Sequence, residues 1–104
     1  MSGQFVTVGR AEAFGAGGHF VTVEGRHVAL FRLADGFHAL DNLCLHRAGP
    51  LCEGGIDDRD VVTCPWHGWS YQIRTGRLTQ DPSIGVGHHD VRVVDGEVQV
   101  RLTE

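Results

Sequence analysis

The sequence predicts an all-β protein, a small antiparallel β-sandwich or barrel. Three observations point there. Apolar residues alternate with a period of two rather than 3.6. Asp-Gly pairs stand between alternating segments, a strong short-range hairpin signal. Fifteen of the 104 residues are glycine, about twice the usual share, as many tight turns require.

Taken in order, Phe5-Val6-Thr7-Val8 reads as the first strand. Ala11-Glu12-Ala13-Phe14 is long enough for one helical turn, which Gly15 to Gly18 stop. Phe20-Val21-Thr22-Val23 and His27–Leu33 read as strands, and Phe37-His38-Ala39-Leu40 returns from a hairpin across Asp35-Gly36. Val61-Val62-Thr63 is a short strand, Ser70-Tyr71-Gln72-Ile73 another, and Thr75-Gly76 turns the chain toward Arg77-Leu78-Thr79. Asp90–Val94 and Glu97–Leu102 flank Asp95-Gly96 and form the clearest hairpin. No internal repeat, linker or low-complexity tract interrupts the pattern, and the length suits one domain spanning 1–104.

Composition excludes several functions. A formal net charge of −4 and the lack of a basic stripe argue against nucleic acid as a partner. No apolar stretch is long enough to span a bilayer, and the first residues lack a signal-peptide pattern. Three cysteines are an odd set for a disulfide framework, and a reducing cytoplasm is the expected compartment.

Two short motifs carry the chemistry: Cys44-Leu45-His46 and Cys64-Pro65-Trp66-His67, C-x-H and C-x-x-H with seventeen residues between His46 and Cys64. Each offers one thiolate and one imidazole, in loops that begin or end strands. Residues i and i+2 of an extended loop project to one side, and Pro65 favours a tight turn. Paired mixed motifs suit a Rieske-type [2Fe–2S] cluster, in which one iron takes two cysteines and the other two histidines. Imidazole is neutral where thiolate is charged, so an added electron meets less repulsion than in a four-cysteine cluster. A structural zinc site also uses Cys₂His₂ sets, but zinc fingers usually pair cysteine with cysteine and histidine with histidine.

The segment Cys64-Pro65-Trp66-His67-Gly68-Trp69-Ser70-Tyr71, followed by Thr75-Gly76 and Asp81-Pro82, resembles the second cluster loop of Rieske proteins and the chain after it. Leu51 with Gly54-Gly55 resembles the link between the two loops. The likeness covers nearly the whole chain and is greatest to the small soluble Rieske ferredoxins. It implies an all-β domain with cluster loops at one end, at about 44–55 and 64–71, and a covering loop near 81–85 with Pro82 as its candidate. It implies Cys44 and Cys64 on the inner iron and His46 and His67 on the outer one through Nδ1, with their Nε2 edges facing solvent as the electron exit.

By the same resemblance the chain is not itself an enzyme. It would carry single electrons from a flavin-dependent reductase to a terminal oxygenase acting on aromatic rings, as a monomer, and it has no room for that oxygenase's catalytic iron domain. The alternative is the small subunit of an NAD(P)H-dependent nitrite reductase, bound to a large sirohaem subunit.

Departures from the family pattern refine the expectation. High-potential Rieske proteins carry a disulfide beside the cluster, and Gly49 and Trp66 occupy those two places here. Trp69 stands where they have a serine that donates to a bridging sulfur, while Tyr71 keeps a hydroxyl four residues after His67. Fewer donors imply a potential at the low end of the Rieske range. Reduction adds negative charge beside His46 and His67 and should raise their pKa values, so the potential should fall at alkaline pH.

Elsewhere the expectations are bland. Cys52 reads as a small buried hydrophobe, with a regulatory thiol as the alternative. His88-His89-Asp90 reads as a polar strand entry, because strand neighbours face opposite ways and cannot converge on one metal. His19, His27 and His38 read as exposed or half-buried strand residues. Asp57-Asp58-Arg59-Asp60 reads as a solvated turn, with an acidic docking patch as the alternative. Leu45, Trp66 and Trp69 flank the ligand motifs and would form an apolar rim for a partner, with packing alone as the other reading.

Overall fold

A computed structural model describes residues 4–44, 49–66 and 68–103. Nine strands run β1 (Val6–Arg10), β2 (Gly17–Val23), β3 (Arg26–Leu33), β4 (Gly36–Asp41), β5 (Gly55–Ile56), β6 (Val61–Thr63), β7 (Ser70–Gln72), β8 (His88–Val94) and β9 (Glu97–Arg101). The larger sheet has the order β1-β9-β8-β4-β3-β2 and curls into a nearly closed antiparallel barrel. A smaller sheet, β5-β6-β7, packs on it. One-turn 3₁₀ segments at Ala11–Ala13 and Leu51–Glu53 are the only helical pieces among the described residues. No helix there is long and apolar enough to cross a membrane.

The expected hairpins form, with one shift. Asp95 (φ 51°) and Gly96 (φ 79°) make a two-residue left-handed turn between Val94 and Glu97, matching the twist of the flanking strands. Glu24 (φ 50°) and Gly25 (φ 81°) make the same kind of turn between Val23 and Arg26. Between β3 and β4 the turn residues are Ala34-Asp35, because Gly36 already pairs with Leu33. β2 starts at Gly17 rather than Phe20, since the ladder continues through Gly17↔Arg32 and Gly18↔Phe31.

β3 explains the architecture. Val28, Ala29, Leu30 and Phe31 are all fully buried, although strand neighbours point to opposite faces. Val28 and Leu30 join Val23, Val98 and Val100 inside the barrel. Ala29 and Phe31 face the other way and meet Leu51, Val62, Tyr71 and Ile73 beneath the small sheet. Each large buried side chain contributes about 1.5–3 kcal/mol, so one strand ties two cores together. Arg74 adds a polar tie, pairing with Asp35 in the β3–β4 turn and, at 2.8 Å, with Asp60.

The acidic run is a built turn. Asp57 Oδ1 accepts the backbone N–H groups of Arg59 (2.8 Å) and Val61 (3.1 Å). As expected, His19 and His38 are half-buried and His27 is exposed.

Candidate metal centre

Two loops of the same construction rise from the strand ends. In the first, Leu43 pairs with Pro50 and the Cys44 N–H donates to the Gly49 carbonyl at 2.9 Å. In the second, Thr63 pairs with Ser70 and the Cys64 N–H donates to the Trp69 carbonyl at 2.8 Å. Each cysteine is therefore the first residue inside the closing pair, and its N–H reaches the residue five positions on. The fold presents Cys44 and Cys64 as equivalents. Neither cysteine is in a disulfide among the described residues, both are buried, and both belong to the same core cluster. His46 and His67 fall in these loops by sequence and lie outside the described residues, as does Leu45.

The surroundings of the two sulfurs suit an inorganic group held by thiolates. The Tyr71 hydroxyl, fully buried on β7, lies 3.2 Å from Cys44 Sγ, which places a donor against a sulfur that would be charged as a ligand. Gly49 sits against the other sulfur, for a Cβ at position 49 would come within 2.6 Å of Cys64 Sγ. The same Cβ would be 3.3 Å from the Cβ of Trp66, so positions 49 and 66 face each other. Trp69 is half-buried against the core and accepts from Cys64 through its backbone, while Trp66 is exposed.

The Rieske [2Fe-2S] domain profile matches residues 4–100. This chain belongs to that family. The ferredoxin component of a naphthalene 1,2-dioxygenase system from Pseudomonas aeruginosa is 39% identical over 84 residues, 80% of each chain. Among solved structures, a chain from a complex of reduced oxygenase and oxidised ferredoxin of carbazole 1,9a-dioxygenase superposes with a TM-score of 0.82. It is 30% identical, with 92% of this chain and 91% of that one covered. A Mycobacterium tuberculosis structure, provisionally named as an NADH-dependent nitrite reductase small subunit, gives a TM-score of 0.87 at 28% identity, covering 97% and 96%. Family membership implies one Rieske-type [2Fe–2S] cluster, and the buried, matched pair of thiols fits it.

Below the first loop this Rieske domain carries a polar network that sequence reasoning missed. Asp41, the last residue of β4, accepts from His89 Nε2 (2.8 Å), Arg26 Nη2 (2.9 Å) and the Gly87 N–H (3.0 Å). His89 is fully buried, and its Nδ1 accepts the Thr103 N–H at 3.1 Å. That places the ring proton on Nε2, facing Asp41. The His89 bond, with help from the Gly87 N–H and from Arg26, holds the Asp41 carboxyl below the usual carboxylate range. Asn42, also buried, accepts the Leu51 N–H on its carbonyl (2.7 Å) and the Cys52 N–H on Oδ1 (2.8 Å). Asp41 and Asn42 thus fix both the entry of the first loop and the segment that follows its return. The available signal was two polar residues closing a buried strand just before Cys44.

The weaker candidates resolve as follows. His88, His89 and Asp90 diverge: His89 pairs with Asp41 and Asp90 with Arg101 at 2.7 Å, while the His88 Nε2 is buried without a hydrogen-bond partner among the described residues. Among the described residues, no group of three or more His, Cys, Asp or Glu is placed to hold a metal. Cys52 is half-buried rather than buried, packs against the core beneath the loops, and has its thiol pushed up by burial and by the charge of Glu53. Pro82 is exposed, in a turn whose base is tied to the end of the second loop by the Thr79 N–H to the Ser70 carbonyl, 2.9 Å.

Proposed function

We propose that Cys44 and Cys64 hold the inner iron of the [2Fe–2S] cluster and that His46 and His67 hold the outer iron through Nδ1. The observation that carries this is the equivalence of the two loops, which brings Cys44 and Cys64 into one buried core at matching positions. The motifs C-x-H and C-x-x-H supply one histidine shortly after each cysteine, the mixed ligand set that such a cluster needs. The loop at 81–85, anchored beside Ser70, is the covering loop of the single domain.

The chain is an electron-transfer component rather than a catalyst in its own right. When bound, the cluster takes up and releases one electron at a time. The residues around it set how that happens. Tyr71 stabilises the charge on Cys44, buried Cys44 and Cys64 keep water from the inner side, and the histidine side faces a partner. The donor is a flavin-dependent reductase and the acceptor a terminal oxygenase of the aromatic-ring type, the class of system in which the relatives serve. With Trp69 in the serine position and no disulfide between positions 49 and 66, the potential lies low in the Rieske range. A monomer in a reducing cytoplasm suits a shuttle whose cysteines form no disulfide among the described residues.

The likeness to the nitrite reductase small subunit supports a second reading, a permanent subunit of a sirohaem enzyme. Stopped-flow mixing separates the two. The reduced chain should be reoxidised by an aromatic-ring oxygenase, one electron per chain, and should purify without a large subunit. No reoxidation by the oxygenase, together with stable co-purification with a sirohaem protein, would favour the second reading.

A further inference from the structure

Position 49 is glycine for reasons of space. Its backbone is in an ordinary conformation, yet a Cβ there would come 2.6 Å from Cys64 Sγ and 3.2 Å from Trp66 Cγ. The Cys64 sulfur, the Gly49 backbone and the root of the Trp66 indole thus converge on one small volume. Any side chain at position 49 would wedge the indole away from the sulfur or displace the sulfur itself.

Trp66 presents an unusual combination. It is 58% exposed, while Cys64 beside it is only 2% exposed. A ring left mostly in water gains little from burial on folding, and the strands do not need it, since it stands at the tip of a loop. The root of its side chain sits beside the Cys64 sulfur in space that a side chain at position 49 would occupy.

We propose that Trp66 is a shield for the metal-bound sulfur of Cys64, admitted to its place by Gly49, and that it keeps water and small chelating solutes off that side of the cluster. This rests on Cys64 being a ligand. The role is one of positioning and exclusion. Trp66 supplies no metal ligand, and its effect is read in how the site resists solutes and in the charge it tolerates. Water admitted to the sulfur would stabilise the more negative reduced state, so removing the shield raises the potential.

The test uses holoprotein, with iron and sulfide first measured in the wild type. Their absence there would refute the ligand assignment itself, separately from the shield. Wild type, Trp66→Ala, Trp66→Phe and Gly49→Ala are then challenged anaerobically with EDTA while the visible absorbance of the cluster is followed. Trp66→Ala should match the wild type in iron content and melting temperature, lose its colour several-fold faster, and have a higher midpoint potential. Trp66→Phe keeps an aromatic plane and should fall between the two; it carries the comparison if the alanine variant does not fold. Gly49→Ala should be isolated with less iron and sulfide, because the new methyl group must move the sulfur or the indole. Wild-type rates of colour loss and an unchanged potential in both Trp66 variants would overturn the proposal. So would variants whose only defect is slower electron delivery to the oxygenase, for then the indole serves docking alone.

Discussion

The Tyr71 hydroxyl lies 3.2 Å from the sulfur of Cys44, and both groups are buried. They stand 27 positions apart in the chain, yet β7 and the first loop bring them together over the core that also holds Cys64. With Cys44 as a thiolate the hydroxyl is the donor. Its bond strengthens as negative charge on the sulfur grows, and so favours the reduced state. Tyr71→Phe should therefore lower the midpoint potential by tens of millivolts, given ~59 mV per tenfold change in a one-electron equilibrium. Protein-film voltammetry on the two proteins checks this, and an unchanged potential would remove Tyr71 from the tuning of the site.

Asp41 gives the fold a pH signature. His89, the Gly87 N–H and Arg26 hold its carboxyl below the ordinary value. A depressed carboxylate stabilises the folded state at pH values above the unfolded pKa of about 3.9, and that stability fades as pH falls through the lower folded value. Asp41→Asn should melt below the wild type near neutral pH, and the gap should close as the pH drops below about 4. Asp35, brought to about 2 first by Arg74 and then by His38, acts in the same direction, but it is exposed and solvent screens its contribution. A gap between Asp41→Asn and wild type that stays constant from neutral pH into this acid range would contradict the role given to the carboxylate charge.

Gly76 sits where the chain turns back from β7 toward the 81–85 loop. Its φ is +78°, and a Cβ would come 2.6 Å from the Val86 carbonyl. Gly76→Ala should cost about 2–3 kcal/mol from the left-handed backbone and the clash together, a fall in melting temperature of roughly 10–20 °C. Gly55→Ala is the control. Its chain neighbours aside, no atom of the described residues lies within 4 Å of a Cβ at that position, so its melting temperature should stay near the wild-type value. Thermal melts by circular dichroism compare the pair, and equal melting temperatures would show that the close approach at Gly76 is not felt.

The sequence announced what depends on local pattern. Asp95-Gly96 marked the β8–β9 hairpin because both residues of its turn take left-handed backbone. Glu24-Gly25 makes an equivalent turn, but glutamate is not a usual residue for it, so no local signal marks that hairpin. β5, only Gly55-Ile56, is too short to show alternation. That Cys44 and Cys64 share one buried core was legible in the two motifs, because a Rieske-type cluster would demand particular side chains at particular spacings. The Asp41–His89 bond spans 48 residues and has no motif, for it depends on β4 and β8 being neighbours in the sheet. The facing of Gly49 and Trp66 is likewise a property of the two loops together, although each residue stands beside a legible motif.

Iron and acid-labile sulfide analysis of the purified holoprotein, repeated on His46→Ala and His67→Ala, tests the central claim most directly. The account predicts two irons and two sulfides per chain in the wild type and loss of both in each histidine variant. One zinc per chain with no sulfide, or full iron and sulfide retained without either histidine, would contradict it.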